Sequence, residues 1–312
     1  MKYFTIILLL AGLICLTGPV LGSDEIIIGA VIDMSGESAT YAQGIEAAID
    51  LAAQDLNDSY HQAGMNTTVT VKKAYSEGTG ESAVSAVSDL IADGVQIIVG
   101  PESSEEVAAV LPLLEENRIL SVNPSSSELL SVAGDPVIRL APGDSRLSRA
   151  LLAYHEQMEN PPGHVVILAR DDVYGRTLAG MVQNDTLLLS SGQGNQEETL
   201  QEEAGAEILL YPSGTSDFTP TLEELNRRVS TAVAEHEAGN VVIFTVSFDE
   251  IADILAQASR YPKLGQVRWE GADSVALSSS ILENGTASRF AQETALTALS
   301  FQIAQPSESD YW

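Results

Sequence analysis

The stretch that decides the fold is VQIIVGPESSEEVAAVLPLL, residues 95–114. It opens with a short apolar run rich in Val and Ile, which is typical of a buried strand. A glycine and a proline interrupt the run. Apolar residues then recur at helical spacing, at Val107, Val110, Leu111 and Leu114. The pattern predicts a strand over 95–99, a turn, and a helix whose apolar face covers a sheet.

The same alternation continues in both directions from this stretch. The other predicted strands are 25–32, 68–74, 119–122, 137–140, 165–169, 207–211, 241–245 and 266–269. Predicted helices include 82–92, 146–158, one from about 175, 220–234 and 249–258, and one with Ile45, Ala48, Ile49, Ala52 and Ala53 inward. Such alternation predicts an α/β protein with parallel sheets, and 312 residues suffice for two doubly wound lobes. Two such lobes leave a cleft between them, lined by loops at the carboxyl ends of strands.

The N-terminus has the layout of a secretory signal. Lys2 precedes an apolar run over 4–16, and small residues follow at 20–22, so cleavage is expected between Gly22 and Ser23. A retained membrane anchor is the alternative, because the apolar stretch is nearly long enough to span. Cys15 is the only cysteine, so the exported chain has no disulfide and no thiol nucleophile.

Composition and motifs exclude several classes of function. A formal net charge of −29 disfavours binding to nucleic acid or anionic lipid. The charge could attract cationic ligands, but a solvated acidic face suited to a salty habitat is the simpler explanation. The four histidines have no metal-ligand spacing, and no nucleophile elbow or P-loop is present. We therefore expect that the protein is not an enzyme and that it binds neither a cofactor nor a metal ion.

Several segments, in order along 25–303, resemble the type I periplasmic solute-binding proteins, in particular the leucine/isoleucine/valine-binding branch that serves ABC transporters. These segments are IGA…MSG from residue 28 with Tyr41, GPESS at 100–104, NPSSS at 123–127, DDVYG at 171–175 and GTSDFT at 214–219. The resemblance implies two Rossmann-like lobes joined by a hinge. It also implies an exported protein that captures an amino acid, branched-chain or otherwise apolar, and delivers it to a membrane permease.

The resemblance also implies a division of the chain. We expect a signal peptide at 1–22, a first lobe at 23–144, a second lobe at 145–296 and a return crossing at 297–312. The family's further section, which completes the first lobe, has no counterpart here. The sequence is then either a fragment or a truncated product, and in the second case we expect apolar surface to be exposed on the first lobe. We expect a monomer on the periplasmic or extracellular face of the membrane.

A carboxylate site is predicted at the start of the helix that follows residue 103. Ser103 and Glu106 form a capping-box pattern, and the free N–H groups of such a helix start attract anions. By resemblance, Ser104 binds the ligand carboxylate and Ser127 touches carboxylate and ammonium. The backbone carbonyl of Ser125 accepts from the ammonium. An ordinary helix cap and a Ser-rich turn are the alternative interpretations.

The resemblance assigns further side chains to the ligand. Asp273 stands where the family has a glutamate that pairs with the ammonium, and an exposed loop acid is the alternative. Tyr41, Tyr174 and Phe248 stand at positions that wall the side-chain pocket, with ordinary core aromatics as the alternative. A receptor sensor domain and a urea- or amide-binding relative remain the other functions that this fold serves.

Overall fold

A computed structural model of the protein describes residues 24–35, 38–130, 133–190, 205–276 and 278–301. Within them lie two five-stranded parallel sheets with helices packed on them. The predicted α/β architecture with two lobes is confirmed. The predicted signal peptide, its cleavage site and Cys15 lie outside the described residues, as does the end of the chain from residue 302.

The first lobe alternates strands and helices as expected. Its elements are β1 (Asp24–Asp33), α1 (Ser38–Gln62), β2 (Thr67–Ser76), α2 (Gly80–Ala92), β3 (Ile97–Val99), α3 (Ser104–Asn117), β4 (Leu120–Asn123) and β5 (Val137–Arg139). The strand order is β2-β1-β3-β4-β5. Ile28 of β1 pairs with Val71 on one side and Ile97 on the other. The carboxyl ends of all five strands therefore lie at one edge of the sheet.

The second lobe repeats the pattern. Its elements are α4 (Asp144–Glu156), β6 (His164–Asp171), α5 (Val173–Ser190), β7 (Gly205–Pro212), α6 (Thr219–His236), β8 (Val241–Val246), α7 (Ile251–Ala258), β9 (Arg268–Gly271), α8 (Ser279–Glu283), α9 (Gly285–Glu293) and β10 (Thr297–Ala298). The strand order is β10-β9-β8-β6-β7. Thr297 and Ala298 thus form an edge strand of the second sheet.

The second sheet is buried on both faces. Val166, Ile243 and Trp269 pack into one cluster with α6, α7 and α9. Val165 and Phe244 point the other way, into a cluster with α4 and α5. This is the arrangement expected of a parallel sheet, whose two faces are normally covered by helices.

The first sheet is covered unequally. Ile98 is fully buried under α2 and α3, whereas its neighbour Val99 on the opposite face is 40% exposed. Ile97 and Ile138 are also exposed, because α1 covers only the β1–β2 side of that face. We call this region over β3 to β5 the bare face.

One predicted packing face was partly wrong. Ala42, Ile45 and Ile49 of α1 pack against the sheet, but Ala48 and Ala52 are exposed. Glu46 and Asp50 of α1 bond to Tyr75 and Lys73 of β2, so helical spacing puts both alanines on the flank of α1 away from β2. Periodicity identified the helix correctly but could not show that its second apolar flank has no neighbour.

None of the helices in the described ranges combines the length and apolarity needed to cross a membrane.

Candidate functional site

The carboxyl ends of the two sheets meet across a cleft. The Ser127 hydroxyl, after β4, donates to Thr177 Oγ1 of α5 over 3.2 Å. The Val173 N–H of α5 donates to Glu105 Oε2 of α3 over 3.1 Å. These contacts join the loop after β4 and the start of α3 to the start of one helix of the second lobe. We call this junction of the two lobes the cleft, and α5 forms its second-lobe side.

Serine hydroxyls line the first-lobe side of this cleft. Ser103 caps α3 through the predicted capping box, so Ser104 is the first residue of the helix. The hydroxyl oxygens of Ser104 and Ser125 lie 3.0 Å apart, and both residues are buried, as is Ser127. The three serines predicted from the sequence thus lie close together at a helix start, where carboxylates bind well.

A buried polar network holds these serines in place. The Ser125 N–H donates to Asn123 Oδ1 over 3.0 Å, and Asn123 donates to the Ser121 hydroxyl over 2.8 Å. Ser121 in turn donates to the carbonyl of Gly100 over 2.7 Å. This chain of buried hydrogen bonds fixes the geometry of the loop around Ser125.

Asp273 lies on the second-lobe side, just after β9. Its Oδ1 accepts from the Tyr174 hydroxyl and from the Ser274 N–H, each over 3.0 Å. Burial, and then the nearby Asp273 carboxylate, raise the pKa of Tyr174 well above its usual value, so the tyrosine stays protonated and donates. These two hydrogen bonds fix the orientation of the Asp273 side chain.

Asp144, at the start of α4, is a site residue that the sequence reasoning missed. It is 2% exposed, and within the described structure its Oδ2 has no hydrogen-bond partner. Burial raises the pKa of Asp144 to about 6, against the opposing effect of the Ser126 hydroxyl and with smaller upward effects of Asp273 and Glu128. The available signal was an acid in the first helical turn at the predicted lobe boundary.

The aromatic residues divide into two places. Tyr174 and Phe248 stack with ring centroids 5.3 Å apart, and the Arg170 guanidinium lies 4.4 Å above the Phe248 ring. Tyr41 is half exposed, and its hydroxyl lies 3.3 Å from the Ser279 hydroxyl of the second lobe. The structure thus brings Tyr174, Phe248 and Asp273 together and places Tyr41 at the rim.

Arg170 was not predicted from the sequence. Besides Phe248, it forms ion pairs with Asp172 and with Glu250, the latter over 3.0 Å. Its Nη2 also donates to the Ser213 hydroxyl over 2.7 Å. A guanidinium held on several sides fixes the ring beneath it, so the Tyr174–Phe248 wall is rigid.

The described part of the chain contains no group of three or more His, Cys, Asp or Glu side chains that could hold a metal ion.

Comparison with known proteins gives consistent results. The sequence model of the family described as periplasmic binding protein matches residues 25–259. An uncharacterised protein of Methanocaldococcus jannaschii is 24% identical over 84% of this chain and 60% of its own length. The crystal structure of a leucine-binding protein from Thermotoga maritima superposes with a TM-score of 0.64 at 19% identity, covering 84% of this chain and 67% of that one.

A solute-binding protein of an ABC transporter from Rhodopseudomonas palustris, solved with 3,4-dihydroxybenzoic acid, has a TM-score of 0.60 at 16% identity. It covers 81% of this chain and 63% of its own length. At these identities the structural likeness shows the fold alone. The chain spans about 60% of the length of the archaeal relative. Because the family model matches well over half of the chain, on a fold with two lobes and a cleft, the protein belongs to the periplasmic binding protein family.

Proposed function

We propose that this protein is the extracytoplasmic solute-binding component of an ABC transporter and that it captures an amino acid between its lobes. The observation that carries the proposal is that one side of the cleft suits a negatively charged group and the other side suits a positively charged group. Buried serine hydroxyls at the start of α3 suit a carboxylate, and the carboxylates of Asp273 and Asp144 suit an ammonium group.

The two halves of this site lie around one turn of helix. Tyr174 binds Asp273, and Thr177, three residues further along α5, binds Ser127. Residues three apart are neighbours on a helix surface. A ligand as small as an amino acid can therefore reach from the serines to the acid.

The side chain of the ligand would lie against the Tyr174–Phe248 wall. The stacked rings offer an apolar surface, and Phe248 has no hydroxyl to bind a polar group. This favours a branched-chain or other apolar amino acid, and the fold shared with a leucine-binding protein agrees with it. Tyr41 is proposed to close the pocket from the first lobe.

The second candidate ligand class is an aromatic acid, as in the Rhodopseudomonas palustris complex. Such a ligand has a carboxylate for the serines but no cation for Asp273 or Asp144. Burying two carboxylates near each other without a positive partner in a closed cleft costs free energy. The acids therefore favour a zwitterion over an aromatic acid, and also over urea or an amide.

Thermal melting of the chain without its leader, against a panel of L-amino acids, hydroxybenzoates, urea and short amides, tests the proposal. A ligand that binds only the folded state adds about 2.7 kcal/mol of stability at 100 times its dissociation constant. We expect midpoints to rise with a few apolar L-amino acids. A rise with hydroxybenzoates or amides alone would overturn the zwitterion site.

Replacing the proposed ammonium partner gives a sharper test. We expect Asp273→Ala to weaken binding of the responding amino acid about 10- to 100-fold, because a hydrogen bond to a charged group contributes about 1.5–3 kcal/mol. Isothermal titration calorimetry measures the change. Asp253→Ala, which removes an exposed acid of α7, is the matched control and should bind like the wild type. Equal affinity in both variants would show that Asp273 does not bind the ligand.

A further inference from the structure

Glu105 connects the two lobes through a helix start. It lies in the first turn of α3, in the first lobe, and its Oε2 accepts from the N–H of Val173, the first residue of α5 in the second lobe. The two helices therefore begin opposite each other across the cleft, with one carboxylate between them.

Two helix starts that approach each other oppose closure of the lobes. Each start carries roughly half a positive charge from its aligned peptide dipoles. Both also present N–H groups that no carbonyl of their own helix can reach. A carboxylate between them is attracted to both ends at once, so Glu105 converts an unfavourable approach into a favourable one.

The second lobe caps α5 at a different amide. Asp172 precedes α5, and its Oδ1 accepts from the Gly175 N–H over 2.8 Å, two positions beyond Val173. Among the described residues, it is Glu105 that accepts the hydrogen bond from the Val173 N–H. The start of α5 is thus completed by the other lobe.

The arrangement has an electrostatic cost that the second lobe offsets. Burial raises the pKa of Asp172, and the Glu105 carboxylate adds a smaller upward effect. Arg170, which forms an ion pair with Asp172, lowers it. The cation therefore lets Glu105 approach α5 without the two acids driving the lobes apart.

We propose that Glu105 is a positioning residue that holds the lobes together by completing the start of α5. Because Tyr174 and Thr177 lie in the first turns of that helix, the contact also fixes the side chains that bind Asp273 and Ser127. Only the consequence for ligand affinity rests on the proposed function. The bridging itself is a property of the protein without ligand.

Amide hydrogen exchange tests the bridge directly in the full chain without ligand. We expect Glu105→Ala to speed exchange at the Val173 amide at least tenfold, while amides in the middle of α3 keep their protection. Glu105→Gln retains an acceptor oxygen without the charge and should give an intermediate rate. It keeps the test usable if Glu105→Ala prevents α3 from forming. Glu116→Ala removes an exposed glutamate from the same helix and should leave the rate unchanged.

The distance between the lobes gives the second readout. With Cys15→Ser removing the only cysteine, spin labels at Gln54→Cys and Glu235→Cys report the separation of α1 from α6. We expect a longer and broader distance distribution in Glu105→Ala than in Glu116→Ala. Wild-type exchange together with wild-type distances in Glu105→Ala would overturn the proposal. Since neither readout involves a ligand, that result would leave the amino-acid panel to be judged separately.

Discussion

At the scale of single residues, Asp144 shows how position changes the chemistry of a common side chain. An exposed aspartate has a pKa near 3.8, whereas burial raises that of Asp144 to about 6. At a pH between these two values, the folded state therefore keeps a proton on Asp144 that the unfolded state has already released. In that window the folded state binds more protons, so its stability falls as pH rises.

The variant Asp144→Asn tests this at the residue scale. We expect it to raise the free energy of unfolding at pH 7.5 by about 1–3 kcal/mol, since each pKa unit corresponds to about 1.4 kcal/mol. The advantage should disappear below about pH 4, where the wild-type carboxyl is protonated in both states. Urea unfolding at several pH values measures it. A constant difference at every pH would mean that packing, and not ionisation, separates the two proteins.

The sequence predicted part of this chemistry. Two adjacent strands, β3 and β4, are followed by Ser104 and by Ser125 and Ser127, respectively. Because the two strands are neighbours in the sheet, the structure brings these serines together. Asp144 and Arg170 were missed because their roles arise from the partners that surround them. Neither an acid at a helix start nor an arginine at a strand end indicates burial or stacking by itself. The ligand-binding roles of all these residues remain predictions.

At the scale of elements, capped starts fix where the helices begin. Thr79 caps α2, accepting from the Ser82 N–H over 3.2 Å, and the Ser82 hydroxyl accepts back from the Thr79 N–H over 3.4 Å. Reciprocal bonds of this kind satisfy two amide groups that the helix itself cannot reach. The equivalent box at Ser103 was readable in the sequence because it precedes an apolar helical pattern.

Removal of the Thr79 cap should destabilise the first lobe. We expect Thr79→Ala to lower the free energy of unfolding by about 1 kcal/mol, the usual cost of losing a hydroxyl cap. Ser88→Ala is the control, because the Ser88 hydroxyl donates to the Val84 carbonyl within the same helix and caps no helix start. Its effect should stay within about 0.5 kcal/mol. Equal losses in the two variants, measured by urea unfolding, would contradict a capping role.

Apolar periodicity located β1 to β9 and α1 to α7 to within a few positions, but β10, α8 and α9 were not predicted. It failed at the second flank of α1, where Ala48 and Ala52 continue the apolar pattern but are exposed. Periodicity reports that a flank is apolar, and what covers it depends on elements elsewhere in the fold. Local sequence patterns do not show which elements, far apart in the sequence, will pack against each other.

At the scale of the whole molecule, the two lobes differ in how their sheets are covered. The second sheet has helices on both faces, and the first has its bare face over β3 to β5. Neighbouring residues of one short strand therefore experience opposite environments. Ile98 is buried in the core, and Val99 faces water.

A pair of substitutions in β3 tests this asymmetry. We expect Ile98→Ala to cost about 2–5 kcal/mol of stability, because it leaves a cavity in a packed core. Val99→Lys should change stability by no more than about 0.5 kcal/mol, because its side chain already meets solvent. It should also reduce binding of a dye that adsorbs to apolar surface. A large loss with Val99→Lys would show that the bare face is covered in solution.

The bare face also determines how this protein responds to temperature. Unfolding raises the heat capacity by about 0.45 cal/K/mol for each Å² of apolar surface that meets water for the first time. Side chains such as Val99 and Ile138 are already partly hydrated in the folded lobe, so they add less to that increment than fully buried side chains do. The first lobe should therefore have a smaller heat-capacity change per residue than the second. Its stability curve should accordingly be flatter, with less loss both in the cold and in the heat.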